Sequence, residues 1–247
     1  MFSASIVSRL MAAALLSFGI AAAAQAASLF VSPVIVTLDE KHRSAAITLR
    51  NEGNETRVIQ TELLRWTQDN GENIHTPSRD ILVNPPIATL LPGQTQIIRI
   101  GLNRKVDKAQ ELAYRLYVSE VPPPPREEFT GLRIALRLGL AVFVSPSAKP
   151  NARLDWKAAR GADDALQLNL LNSGNRHLRL NALKVNDPVT GQQLAELQQA
   201  QFTLLTGQAR QISLPLPPGW QGRQLSVVVG TEDGLVETRV ELDQPAQ

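Results

Sequence analysis

The chain has 247 residues, of which 43% are hydrophobic and none is cysteine, and its formal net charge is +2. Without cysteine there are no disulfides and no thiolate metal sites. The near balance of charge, with no block of lysine or arginine, argues against a nucleic-acid-binding protein. We therefore expect a disulfide-free folded protein with no nucleic-acid partner.

The N-terminus has the pattern of a cleavable secretory signal peptide. Arg9 precedes the apolar residues 10–20, and Ala24-Gln25-Ala26 fits the small-residue cleavage pattern. An uncleaved anchor is the alternative, but the apolar run is shorter than the roughly 20 residues that span a bilayer. We predict that residues 1–26 are removed and that the mature protein is exported and not membrane-embedded.

The rest of the chain alternates short apolar–polar runs with turn residues, a pattern typical of β-strands. Asp69-Asn70-Gly71 and Asp233-Gly234 are among the predicted turns. Residues 192–201 are a candidate short helix. The predicted strands are 44–51, 56–66, 88–91, 94–100, 113–121, 132–144, 165–172, 177–185, 210–216 and 224–230. Strands at this spacing predict an all-β protein built from sandwiches.

Two proline-containing segments divide the chain. Pro122-Pro123-Pro124-Pro125 cannot donate ladder hydrogen bonds and is predicted to form a loop. Residues 145–150, with Pro146 and Pro150, are predicted to link two domains. We expect an N-terminal domain at 27–146 and a C-terminal domain at 147–247.

No constellation of residues predicts catalysis. His42, His75 and His177 are isolated in the sequence, without the spacing of metal ligands, and are expected at the surface. The chain contains neither a phosphate-binding glycine motif nor a nucleophile elbow. We therefore expect no enzyme, no cofactor, no metal and no small-molecule substrate.

The most informative segment is the predicted strand 132–144. Its large aliphatic residues occupy every second position and so share one face; they are Leu132, Ile134, Leu136, Leu138 and Leu140. A core-facing strand shows the same alternation, which leaves that interpretation open. The row is nevertheless longer than an average strand of about 5–6 residues, and the intervening Arg133 and Arg137 suit an edge strand. An apolar edge strand could add itself to the sheet of a partner.

An ordered set of motifs resembles the periplasmic chaperones of the chaperone–usher pathway. The resemblance covers about residues 28–146. Its motifs are Ser32-Pro33-Val34, Leu49-Arg50-Asn51, Asn84-Pro85-Pro86, Leu91-Pro92-Gly93-Gln94, Tyr114-Arg115-Leu116, Glu120-Val121-Pro122-Pro123, Leu132 to Arg137 and Val142 to Pro146.

The resemblance implies two immunoglobulin-like β-sandwich domains arranged as a boomerang. It also implies a periplasmic chaperone that binds pilin or fimbrial subunits by donating the strand 132–140, and then delivers them to an outer-membrane usher. The runner-up is an exported structural or adhesive β-sandwich subunit of a surface fibre. A secreted hydrolase is the third alternative, and it lacks any nucleophile–base pair.

The chain departs from the best-known members of that family at the site that anchors the subunit's terminal carboxylate. The positions of the usual arginine and lysine align with Pro33, or a neighbour, and Ala141. The resemblance is therefore to the divergent, archaic-type branch. Arg115 and Arg137 are the candidate replacements, because a guanidinium group pairs bidentately with a carboxylate; the alternative for each is a solvated strand arginine.

The family's interdomain ion cluster is also incomplete in this sequence. Its arginine position holds Ser145, whereas Glu120 and Asp233 match the acidic positions. The resemblance thus implies that Glu120 and Asp233 contact each other's domains.

Overall fold

The structure is a computed structural model that describes residues 29–122, 134–161, 165–198 and 200–243. These residues form eighteen strands and no helix. The first ten are β1 (Leu29–Ser32), β2 (Ile35–Leu38), β3 (Ser44–Asn51), β4 (Arg57–Asp69), β5 (Glu72–Pro77), β6 (Ile81–Asn84), β7 (Ile87–Leu90), β8 (Thr95–Leu102), β9 (Leu112–Val121) and β10 (Arg137–Val144). The other eight are β11 (Leu154–Arg160), β12 (Ala165–Asn172), β13 (Leu178–Asn186), β14 (Gln193–Glu196), β15 (Phe202–Leu204), β16 (Ala209–Pro215), β17 (Gln224–Thr231) and β18 (Gly234–Asp243).

The first ten strands form one sandwich of two facing sheets. One sheet has the order β1-β3-β8-β6, and the other has the order β2-β10-β9-β4-β5, with β7 added beside β4. Alternate side chains of both sheets point inward, and the resulting core includes Leu49 of β3, Ile98 of β8 and Leu116 of β9, each fully buried. Burial of this apolar area is the main stabilising contribution to the sandwich.

The remaining strands form a second sandwich with a core of its own. Its strand order is β14-β13-β17-β18-β11-β12-β16, with β15 paired to β13. Leu168 of β12, Leu180 of β13 and Val227 of β17 are fully buried in this core. The predicted all-β class with two immunoglobulin-like sandwiches is confirmed.

Most predicted strands and turns appear where the periodicity placed them. The prediction for 44–51 matches β3, and the Asp69-Asn70-Gly71 turn joins β4 to β5, with positive φ at Asn70 and Gly71. The candidate helix at 192–201 is wrong, because Gln193–Glu196 is the strand β14 paired with β13. Its glutamines are compatible with either structure, and the pairing with a neighbouring strand decides between them.

Candidate functional site

The strand β10 has two differently covered halves. Residues Ala141–Val144 pair with β9 on one side and, in parallel, with β2 on the other. Residues Arg137–Leu140 pair with β9 alone among the described residues. The backbone N–H of Glu120 also donates a 2.8 Å hydrogen bond to Leu136 O, so the pairing with β9 continues one residue before β10 begins. The first half of β10 therefore has a free edge whose backbone groups can accept another strand.

The aliphatic row on this strand runs from solvent into the sandwich core. Ile134 is 82% exposed, Leu136 and Leu138 are partly buried, and Leu140 is only 2% exposed. Leu132 lies outside the described residues. The five side chains of the predicted row are therefore not equivalent. Leu140 is part of the chain's own core, whereas Ile134 and Leu136 precede β10 and are exposed or only partly buried.

The arginine on the same strand points to the opposite face, as alternation predicts. Arg137 stacks on the Tyr117 ring at 3.9 Å, and its Nη2 lies 3.6 Å from Glu62 Oε2. Both charged groups of this pair are more than half exposed. Arg137 therefore already has an acidic partner at the surface, and the pair contributes little to stability.

Arg115 lies on that outer face too, but inside a cleft between the two sandwiches. The cleft has a volume of about 490 Å³. Arg115 Cζ lies 4.1 Å from the centre of the Trp66 ring, and Nη1 is 3.4 Å from the carbonyl oxygen of Gly139. Burial lowers the pKa of the Arg115 guanidinium; Tyr117 opposes this effect, and the charge of Arg179 adds a smaller lowering. Of the two predicted anchor residues, only Arg115 is among the residues that line the cleft.

The two positions that lack the expected basic pair are close to this cleft. Ala141 lines it, as do Val34 and Ile35, which follow Pro33. Ile35 and Ala141 are register partners on β2 and β10. These residues give the cleft an apolar wall where the sequence resemblance had implied a basic pair.

The acidic residues expected to join the domains make their contacts elsewhere. Glu120 accepts a 2.9 Å hydrogen bond from Arg57 within the first sandwich, and Asp233 pairs with Arg176 within the second. The ion pairs found for Glu120 and Asp233 among the described residues are thus within single domains, and their interdomain role stays a prediction. Each carboxylate is paired by an arginine of its own domain, which the spacing of residues in the sequence does not reveal.

Different residues join the sandwiches. Gln68 donates to Thr203 O at 2.8 Å and accepts from Leu205 N at 2.9 Å. Trp66 and Phe143 form a small apolar cluster with Leu205 of the second sandwich. Of these residues only Phe143 lies in a motif of the sequence resemblance, and the packing of the two domains identifies all of them as interface residues.

A histidine takes part in the same interface. His177 Nδ1 lies 2.7 Å from Glu111 Oε1, and the His177 ring stacks on Phe143 with centroids 3.6 Å apart. The expectation of a surface residue is therefore wrong for His177, which is mostly buried between the domains. His42 is exposed, as expected, whereas His75 is partly buried near Trp66 and Tyr117.

Neither a metal centre nor a membrane helix is seen in the described residues. No group of three or more His, Asp or Glu side chains there could hold a metal ion. No helix in that part of the chain is long and apolar enough to cross a bilayer.

Comparisons with known proteins agree with this architecture. Residues 28–150 match the family described as "Pili and flagellar-assembly chaperone, PapD N-terminal domain". The chain is 27% identical over 144 residues to the chaperone protein FanE of Escherichia coli, a match that covers 50% of this chain and 60% of FanE.

Solved structures show the same fold along nearly all of the chain. One is in the CsuC-CsuE chaperone–tip adhesion subunit pre-assembly complex of the archaic Csu pili of Acinetobacter baumannii, with a TM-score of 0.65, 19% identity, and coverage of 89% of this chain and 100% of that one. Another is in the complex of the Salmonella enterica SafA pilin with the SafB chaperone, with a TM-score of 0.58, 18% identity, and coverage of 87% and 95%. The solved structures show the shared fold, and the match of residues 28–150 shows that the chain belongs to the family of pili and flagellar-assembly chaperones.

Proposed function

We propose that this chain is a periplasmic chaperone that captures pilin or fimbrial subunits by donor-strand complementation and delivers them to an outer-membrane usher. The observation that carries the proposal is the free edge of β10 at Arg137–Leu140, with Ile134, Leu136 and Leu138 in a row along it. Backbone groups on such an edge supply hydrogen bonds, and alternate apolar side chains supply a surface for a partner's core.

The exposed part of the row supports a binding role better than a packing role. Ile134 is 82% exposed and so contributes little to the stability of the isolated chain, yet it continues the alternation of Leu136 and Leu138. A subunit sandwich that lacks one strand would cover Ile134, Leu136 and the part of Leu138 that the chain's own core leaves uncovered. Leu140 then holds the donor strand in the chaperone's own core. The donor set proposed here is therefore Ile134, Leu136 and Leu138, with Leu132 as its N-terminal continuation.

The family match favours this function over an exported fibre subunit. Both proteins would be secreted β-sandwiches, but a self-assembling subunit needs a donor segment that leaves its own fold. Here the strand that carries the row pairs with β9 and, through its second half, with β2. The N-terminal residues 1–26 are proposed to direct export and then to be cleaved.

Arg115 is the proposed anchor for the terminal carboxylate of the captured subunit. It lies in the cleft, it is partly buried, and the described residues give it no acidic partner. Arg137 lacks these properties because it pairs with Glu62 at the surface.

Co-purification from the periplasm tests the function. The full chain, exported with an affinity tag, should bring down a β-sandwich subunit that can be identified by mass spectrometry. Ile134→Asp should lose that subunit while the chain stays folded, since an unpaired charge in the subunit core costs several kcal/mol. The matched control is Val189→Asp, at a turn residue that is 91% exposed. Retention of the subunit by Ile134→Asp would refute strand donation, and polymers of the chain alone would support the fibre-subunit alternative.

A further inference from the structure

A buried ion pair lies beside the start of the donor strand. Arg57, the first residue of β4, is 7% exposed, and its Nη1 donates a 2.9 Å hydrogen bond to Glu120 Oε2 on β9. Within the described residues, Arg57 Nε is buried and has no hydrogen-bond partner. Desolvation offsets most of the attraction in a buried ion pair, and an unsatisfied donor adds a further cost, so a contribution to stability does not account for this pair.

Glu120 contacts the donor strand through both its backbone and its carboxylate. Its N–H donates to Leu136 O at 2.8 Å, and Oε2, the same oxygen that accepts from Arg57, accepts from the Leu136 N–H at 3.5 Å. The register that pairs Arg137 with Ser119 places Leu136 opposite Glu120. In a regular antiparallel ladder two such residues exchange two backbone hydrogen bonds. Here the carboxylate of Glu120 accepts the second one.

This contact lies where the aliphatic row leaves the sheet. The strand β10 begins at Arg137, and Ile134 is 82% exposed. Leu136 is therefore the residue at which the row passes from the ladder into solvent. Strand ends with few contacts open most readily, and a segment that is already ordered loses less conformational entropy when a partner binds it. A contact that fixes Leu136 thus favours binding through the row.

We propose that Arg57 and Glu120 are positioning residues that hold Leu136 against β9, so that the donor row is extended before a subunit arrives. Arg57 fixes the Glu120 carboxylate, and the carboxylate fixes the Leu136 N–H. The contact is a property of the isolated chain, whereas its role in capture rests on the proposed function. Because only molecules with an ordered strand bind, a weaker contact should lower the rate of capture by the same factor as the ordered fraction.

A second ion pair beside the same strand provides the matched control. Arg137 Nη2 lies 3.6 Å from Glu62 Oε2, and both side chains are more than half exposed. Glu62→Gln removes this pair and leaves the Glu120 contact in place. Since an exposed pair contributes little, Glu62→Gln should change neither the order of Leu136 nor the rate of capture.

Replacement of the buried pair by apolar residues separates positioning from stability. Arg57→Met combined with Glu120→Leu removes both charges, a kind of change that often leaves stability unchanged or raises it. In the isolated full chain, hydrogen exchange measured by NMR should become about tenfold faster at the Leu136 amide, the factor expected for one hydrogen bond to a charged group. Exchange at Leu140, which is 2% exposed, should not change. The co-purified subunit, diluted from denaturant, should form a complex about tenfold more slowly.

Glu120→Gln gives a second measurement if the double variant does not fold. It keeps the shape of the side chain and removes its charge, so both effects should be smaller and in the same direction. Wild-type exchange at Leu136 in these variants would overturn the positioning role, as would faster exchange with an unchanged rate of capture. Failure of the proposed function looks different, because the wild-type chain would then capture no subunit while Leu136 exchange still depended on Glu120.

Discussion

Gln68 and Leu205 are joined across the two sandwiches by a hydrogen bond of 2.9 Å from the backbone N–H of Leu205 to Gln68 Oε1. The amide nitrogen of Gln68 donates in turn to Thr203 O at 2.8 Å and to Asn73 Oδ1 at 3.0 Å. The Gln68 side chain is mostly buried. Because it donates to one backbone group of the second sandwich and accepts from another, it bonds as a neighbouring β-strand would. A neutral amide therefore makes hydrogen bonds that join the two domains.

Gln68→Leu should loosen the contact between the sandwiches. It leaves the Leu205 N–H and the Thr203 carbonyl without their partner, at about 1–3 kcal/mol for each buried group. We expect a lower melting temperature and a larger radius of gyration in small-angle X-ray scattering. Gln193→Leu, on the exposed β14 position, is the matched control and should change neither quantity. A Gln68→Leu variant with unchanged scattering and melting would show that the apolar cluster alone holds the domains.

The two ends of the aliphatic row should differ in their effect on stability. Leu140→Ala removes a core side chain and should cost about 2–5 kcal/mol in the free energy of unfolding. Ile134→Ala should change it by less than about 0.5 kcal/mol, because the side chain is exposed. Urea denaturation of the isolated chain measures both values. A large loss for Ile134→Ala would place that residue in the chain's own core and argue against donation.

Arg115→Ala should weaken binding of the captured subunit more than Arg137→Ala does. The expected difference is about 1–3 kcal/mol, because Arg115 lies partly buried in the cleft and Arg137 is solvated beside Glu62. Both arginines are on the outer face of the sheet, so location and not strand parity separates them. Affinities of both variants for the co-purified subunit decide this, and equal, near-zero losses would exclude both residues as the anchor.

Asp80 should make the first sandwich sensitive to acid. Burial would raise its pKa, but hydrogen bonds from Tyr114 and Arg104, at 2.8 and 3.1 Å, outweigh burial and hold the pKa below its usual value. A lowered folded-state pKa gives stability that is present above the unfolded pKa, near 4, and is lost as pH falls through the folded pKa.

We therefore expect the melting temperature to fall below about pH 4. Asp80→Asn should reduce both the melting temperature at pH 7 and its slope in this acidic range, with a loss of about 1–3 kcal/mol. Asp69→Asn, at an exposed turn position, is the control. An Asp80→Asn variant with the wild-type acid slope would show that other carboxylates control acid unfolding.

Much of the fold was predictable because strand formation in this chain follows local alternation. The segment 44–51 places Ile47 and Leu49 on one face, and the structure pairs and buries it as β3. Strands with weaker alternation were missed, such as β18, which is mostly exposed and carries charged residues on its outer side. Its pairing with β17 defines it, and pairing is a long-range property.

The sequence by itself determined the all-β class, the apolar row on the strand after Pro122–Pro125, and the absence of disulfides. It could not determine which members of the row remain free, because Leu138 and Leu140 have the same local pattern and differ only in what the opposite sheet covers. The cleft, lined by Arg115 from one domain and Arg179 from the other, was decided by tertiary structure alone. Residues 64 positions apart acquire a common electrostatic environment only when two separately folded cores pack together, and no local periodicity records that contact.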